Sequence, residues 1–206
     1  MEEKIRIRTL KELQDRKECF LEICKILEEL ELSYFLQGGV LLGAKRDNSF
    51  IEWDWDVEIC LFNKEFKLKY EKILKRLLEK NFKVINCRKQ DYDSKIDISK
   101  NYDKAVTSYT IMGWSLDKSQ KKYFRNKINF PEHFLKKFGT IEFCGKKFNT
   151  PHPIDEYLTF QYGNWKIRKR TSDKEKYMTS SYYKRDNFIF KFLKKIALKL
   201  SSNKIT

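Results

Sequence analysis

LQGGVLLGAKRDNSFIEWDWDVEIC, residues 36–60, carries two signals. One is a glycine pair, Gly38 and Gly39, at the end of a short apolar run. The other is a strict alternation in which Trp53, Trp55, Val57 and Ile59 separate Asp54, Asp56 and Glu58. Period-two alternation predicts a strand over residues 50–61 with one bulky apolar face and one face of carboxylates. Side chains two apart on a strand lie about 6.5 Å from one another. At an effective dielectric of about 20, two like charges at that distance repel by about 2.5 kcal/mol. A divalent cation removes the repulsion, and hard oxygen donors suit Mg²⁺ or Mn²⁺ with substrate phosphates as further ligands. The plainer reading is a solvated, acidic edge strand. The glycine pair tilts the balance, because backbone without a Cβ approaches a phosphate closely and its N–H groups bind anions.

Around this stretch the pattern predicts a small α/β (α+β) domain. Residues 9–31 have the apolar spacing of a core-packing helix, with Thr9 and Glu12 placed as a capping box. A short strand at 33–36 runs into the glycines, and a helix opens at 40–45, so a helix N-terminus faces whatever binds there. Arg46 follows; it reads either as a phosphate fork or as part of a solvated loop. Residues 64–80 form a second amphipathic helix. Strands are expected at 82–87, 95–99 and 107–116, and an irregular basic loop at 119–129. A hairpin is expected at 141–148 and a helix at 154–161 with Gly163 as its stop. Trp165 reads as the wall of a nucleotide site or as core.

The net charge of +15 is uneven. Residues 166–206 hold thirteen Lys/Arg against three Asp/Glu, and the first 165 residues carry only +5. The charge therefore divides the chain into a globular part, 1–165, and a basic extension, 166–206. Within the extension, residues 186–200 predict an amphipathic helix with lysines on one face, suited either to an anionic membrane surface or to packing on the domain. The five cysteines are scattered and odd in number, which suits buried, reduced thiols in a cytosolic protein. No run of eighteen apolar residues occurs and the first residues lack an apolar signal region, so a cytoplasmic location is expected. Nucleic acid is an unlikely partner, because the acids sit in the centre and the basic excess lies in the extension.

The residues of this stretch resemble the LicD family, which includes bacterial phosphocholine transferases, fukutin and fukutin-related protein. The matching residues are Gly38, Gly39, Leu41, Leu42, Gly43, Arg46, Ile51, Trp53, Asp54, Asp56 and Glu58. A second block follows in the family's order: FPEHFL at residues 130–135, then Pro151, Tyr157, Leu158 and Tyr162-Gly163. The resemblance implies a nucleotidyltransferase-like fold, a small mixed sheet flanked by helices, for residues 1–165. It implies an enzyme, a metal-dependent phosphotransferase. Such an enzyme moves phosphocholine, ribitol phosphate, glycerol phosphate or a similar group from a CDP-linked alcohol donor and releases CMP. The acceptor would be a hydroxyl of a cell-surface glycan or its lipid-linked precursor, and peripheral contact of a cytoplasmic protein with the inner face of the membrane would run through residues 186–200. Asp54, Asp56 and Glu58 would be the catalytic, metal-holding acids, and Gly38, Gly39, Arg46 and Trp165 would hold the donor. The family carries a further Asp in the segment resembling residues 108–116, where this chain reads SYTIMGWSL. Asp97 and Asp117 remain as replacements, Asp97 reading as a metal ligand or as surface. Two other readings stand beside this one: a nucleotidyltransferase that uses an NTP and releases pyrophosphate, and a non-catalytic basic nucleic-acid binder.

Overall fold

The computed structural model describes residues 5–102 and 105–183, with backbone alone at 101–102 and 105–107. The helix expected at 186–200 lies outside the described residues. Helix α1 (Leu10–Glu29) starts where its capping box places it: the Thr9 hydroxyl accepts from the Glu12 N–H, and the Glu12 carboxylate accepts from the Thr9 N–H. Two donors that the helix cannot satisfy internally are thereby paired. Its inner face is Cys19, Phe20, Ile23, Cys24 and Leu27, all buried, with Phe20 edge-on to Phe50 and Phe143.

The sheet is mixed and open. Its strands are β1 (Tyr34–Leu36), β2 (Asp56–Phe62), β3 (Lys83–Lys89), β4 (Ser94–Tyr102), β5 (Ala105–Asp117), β6 (Lys122–Arg125), β7 (Ile128–Pro131), β8 (Gly139–Phe143) and β9 (Lys146–Thr150). The order is β3-β4-β5-β2-β1-β9-β8, with the β6–β7 hairpin continuing from β5. β2 runs parallel to β5 and β1 parallel to β9, and the other neighbours are antiparallel. The helices are α1, α2 (Gly38–Asp47), α3 (Asn63–Glu79), α4 (Ile154–Tyr162) and the single turn α5 (Lys174–Tyr177). The expected α/β class is the one found. Central β1 and residues 59–61 of β2 are buried, at Phe35, Leu36, Ile59, Cys60 and Leu61. No helix among the described residues is long and apolar enough to cross a membrane.

Four expectations change. The acidic strand begins at Asp56, not at residue 50: the Asp54 N–H turns back to the Ile51 carbonyl at 3.1 Å, so Asp54 sits on a turn and Trp55 is 58% exposed. The alternation therefore describes a pleat only from Asp56 onward. Residues 119–129 are not an irregular loop but hold β6 and the start of β7, which stack Tyr123 on Phe130. The thiols are free, but Cys87 is exposed and Cys144 half-buried. Finally, the charge step at residue 165 is not a break in packing. Residues 164–183 return across the domain: Thr179 N–H donates to the Gln161 carbonyl at 3.0 Å, Asn129 N–H to the Tyr182 carbonyl at 3.1 Å, and the Tyr182 ring is buried.

Candidate functional site

The antiparallel register of β1 against β2 pairs Leu36 with Ile59. The chain therefore leaves β1 at the level of Glu58, and the glycine pair that follows meets the acidic end of β2. The contact is closer than any side chain would permit. A Cβ built on Gly38 would stand 2.2 Å from the Glu58 Oε2, and one on Gly39 would stand 1.9 Å from the Asp54 Oδ2. Gly38 also has φ +65°, a conformation costly for residues with a Cβ. Beneath the turn the buried Gln37 amide donates to the Tyr157 and Tyr182 hydroxyls, and its oxygen accepts from the Cys60 thiol at 3.3 Å. The bend is thus held from below by a polar hub and filled from above by carboxylates.

Asp54 is positioned through its backbone. Arg8 Nε and Arg16 Nη2 both donate to its carbonyl, at 2.8 and 2.6 Å, and its Oδ1 accepts from the Trp55 N–H at 3.0 Å. Arg16 is 1% exposed, and its Nε and Nη1 have no hydrogen-bond partner among the described residues. Burial and the neighbouring Arg8 charge push its pKa down to about 10, so it stays a cation at neutral pH. Asp54, Asp56 and Glu58 are half-buried and form no side-chain ion pair among the described residues. Burial, then the charge of Asp56, raises both Asp54 and Glu58 from their ordinary 3.8 and 4.5 to about 7. Arg16 and Arg8 oppose the shift at Asp54, Lys174 and Arg125 at Glu58, and none of them cancels it. Among the described residues, no three His, Cys, Asp or Glu side chains are gathered so that they could hold a metal ion unaided.

These acids open into a cleft of about 390 Å³ together with Gly39, Arg46, Trp165 and Ser108. Ser108 lies beside Asp56 in the β2–β5 register, so β5 brings a hydroxyl where a further carboxylate was sought. Asp97 stands on β4 opposite Thr110, itself opposite Glu58, but its carboxylate accepts from Thr110 Oγ1 at 2.9 Å and pairs with Lys95. It does not line the cleft. Asp117 is half-buried and accepts from Ser119 and Gln120 in a turn. Arg46 lines the cleft, yet its fork is closed on Asp47, at 2.8 Å from Nη2 and 3.1 Å from Nε. Its Nη1 donates to the Trp165 carbonyl at 3.4 Å. Trp165 is buried, at 8% exposed, and its remaining surface lines the cleft.

A further stretch of wall comes from residues that the charge pattern assigned to an extension: Lys169, Thr171, Ser172, Lys174, Tyr177 and Met178. The available signal was aromatic, since Tyr177, Tyr182 and Tyr183 interrupt the basic run, and large apolar rings seek burial.

With this geometry in view, the comparisons are specific. The family described as LicD/FKTN/FKRP, nucleotidyltransferase domain, matches residues 31–153, more than half of the chain. The chain belongs to the LicD/FKTN/FKRP family. The matched residues include the glycine turn and all three acids of the LicD cleft. Ribitol 5-phosphate transferase FKRP of Mus musculus is 25% identical over 144 residues, and that of Homo sapiens 24% over the same length. Each match covers 67% of this LicD-family chain and 29% of the relative's length. Among solved structures, the antibiotic-resistance factor ANT(2'')-Ia aligns with a TM-score of 0.46 at 13% identity, covering 68% of this chain and 66% of that one.

Proposed function

We propose that the chain is a phosphotransferase that moves a phospho-alcohol group from a CDP-linked donor to a glycan hydroxyl and releases CMP. Family membership and the likeness to ribitol 5-phosphate transferases support a transferase of this kind. The observation that carries the reading is the contact between Gly38-Gly39 and the Asp54 and Glu58 carboxylates, at a cleft faced by three acids without an ion pair among the described residues.

A hard divalent cation fits this donor set. Mg²⁺ ordinarily takes one or two carboxylates and completes its shell with waters and phosphate oxygens, so a ready-made cage of three side chains is not required. Asp54, Asp56 and Glu58 would hold it. When bound, the ion supplies charge neutralisation for the transferring and leaving phosphates. The chain's own groups do the rest. The Gly38-Gly39 backbone approaches phosphate oxygens without a Cβ in the way. Trp165 offers an indole to the base. Asp54, through a carboxylate oxygen that the ion leaves free, would accept the proton of the acceptor hydroxyl. The acceptor oxygen bonds to the phosphorus that carries the alcohol, the bond from that phosphorus to the CMP oxygen breaks, and the proton stays on Asp54. The basic residues 186–200 would hold the enzyme peripherally at the inner face of the membrane, where a lipid-linked glycan acceptor would be met.

The test is a panel of CDP-choline, CDP-ribitol and CDP-glycerol with Mg²⁺, with CMP release followed with and without glycan. Pyrophosphate release from an NTP, with no CMP from any CDP-alcohol, would replace this reading with a nucleotidyltransferase.

A further inference from the structure

Resting on the phosphate-bearing donor just proposed, a second wall of the cleft acquires a role. Three cationic side chains line the cleft among the described residues: Arg46, Lys169 and Lys174. Arg46 is closed on Asp47. Lys169 and Lys174 form no ion pair among the described residues. Both sit on the strap of residues 164–178, and that strap is held at each end. At its start, Arg46 donates to the Trp165 carbonyl and Arg168 Nη2 pairs with Asp47 at 2.8 Å, one residue before Lys169. At its end, Met178 lines the cleft, and Thr179 N–H donates to the Gln161 carbonyl at 3.0 Å. Lys174 lines the same cleft as the acids, and its charge opposes the upward shift at Glu58. Thr171 and Ser172 bring hydroxyls to the same stretch of wall. The strap lies beyond the residues 31–153 that the family match covers.

We propose that Lys169 and Lys174 bind the phosphate groups of the donor, closing the cleft from the strap and taking the part that sequence pattern assigns to Arg46. A phosphate between the two walls meets backbone N–H groups and the cation-loaded acids on one side and two ammonium groups on the other. A lysine ammonium is a compact phosphate binder, without the planar fork that Arg46 commits to Asp47. The strap is therefore where donor affinity is set in this chain.

The experiment uses the full chain with Mg²⁺ and three probes: pyrophosphate, CDP and cytidine. Trp53, Trp55 and Trp165 line the cleft and report binding by fluorescence. Lys169→Ala and Lys174→Ala are each expected to weaken pyrophosphate and CDP about tenfold, the size of one charged contact. Cytidine binding stays as in the parent. Lys174→Arg recovers most of the loss. Lys176→Ala, on the same strap but outside the cleft lining, changes nothing. Pyrophosphate affinity within about twofold of the parent in the double alanine variant, an equal loss in Lys176→Ala, or no pyrophosphate binding by the parent overturns the proposal. The two readings fail separately. Lysine-dependent pyrophosphate binding without CMP release from any CDP-alcohol refutes the donor and keeps the lysine site. CMP release with an unchanged donor KM in the double variant does the reverse.

Discussion

Two groups of carboxylates lie in this domain, and they are treated in opposite ways. Asp93 takes Arg88 Nη1 at 2.5 Å and Arg125 Nη2 at 2.9 Å; Asp47 is gripped by Arg46 and Arg168; Asp97 pairs with Lys95. Burial alone would push Asp47 up, but its two guanidiniums outweigh that and leave it below the ordinary value. Asp54, Asp56 and Glu58 receive no such partner among the described residues, and two of them are driven up towards neutrality. The nearest guanidiniums, Arg8 and Arg16, are aimed at the Asp54 carbonyl rather than at its carboxylate. An acid that only supports the fold is neutralised from within the chain. Here the chain has 44 cationic residues to draw on, and still three acids at one cleft have no ion-pair partner among the described residues.

The largest effect is expected at Asp56, whose charge raises both neighbours. Asp56→Asn should lower CMP release by about 10³-fold or more while circular dichroism stays unchanged. Removing a like charge should also make the metal-free protein melt higher at pH 7 and above. A variant that turns over at the parent rate would place Asp56 with the structural acids.

Gly39→Ala comes next. The new Cβ would stand 1.9 Å from Asp54 Oδ2, so the carboxylate must move, and a displacement of that order costs about 10²-fold in rate. Stability should shift by only about 1 kcal/mol, because alanine is the better helix former. Activity and melting temperature therefore separate; an active variant would show that the contact with the turn is incidental.

The third effect is one of pH. Asp54 and Glu58 have folded values above their unfolded ones, so between about pH 4 and pH 7 the folded state holds more protons than the unfolded state. Their contribution to stability is present below that window and lost as pH rises through about 7. A cation that replaces those protons should reverse the loss. The rise in melting temperature on adding Mg²⁺ in place of EDTA should therefore grow from pH 5 to pH 8. A constant increment would mean that these acids do not take the ion.

The smallest effect is expected at Asp97. Its partners Lys95 and Thr110 make it a member of the neutralised group, so Asp97→Asn should cost about 1 kcal/mol of stability. The rate should stay within about threefold of the parent. A hundredfold loss measured at saturating Mg²⁺ would move Asp97 into the site.

Much of this was legible along the chain. The capping box of α1, the helical spacing of α3, the Cys144-Gly145 turn between β8 and β9 and the Gly163 stop of α4 all stand where local pattern put them. So does the pairing of a glycine turn with the acids of β2, whose alternation survives from Asp56 to Glu58. Two readings were misled by the same cause. Trp53-Asp54-Trp55 continues the alternation in sequence, yet a backbone turn held by Arg8 and Arg16 takes it off the strand. Residues 166–183 look like a charged extension, yet their tyrosines fold them onto the domain.

Periodicity and glycine placement depend on neighbours a few residues apart, so the chain alone specified most of the strands, the bend and the acids that face it. Which charges are cancelled depends on residues brought together from far away. Asp47 meets Arg168 across 121 positions, and that one contact both occupies the acid beside Arg46 and pins the strap next to Lys169. Only folding could settle which carboxylates and which cations were left facing the cleft, because an ion pair is decided by distance in space and leaves no period in the sequence.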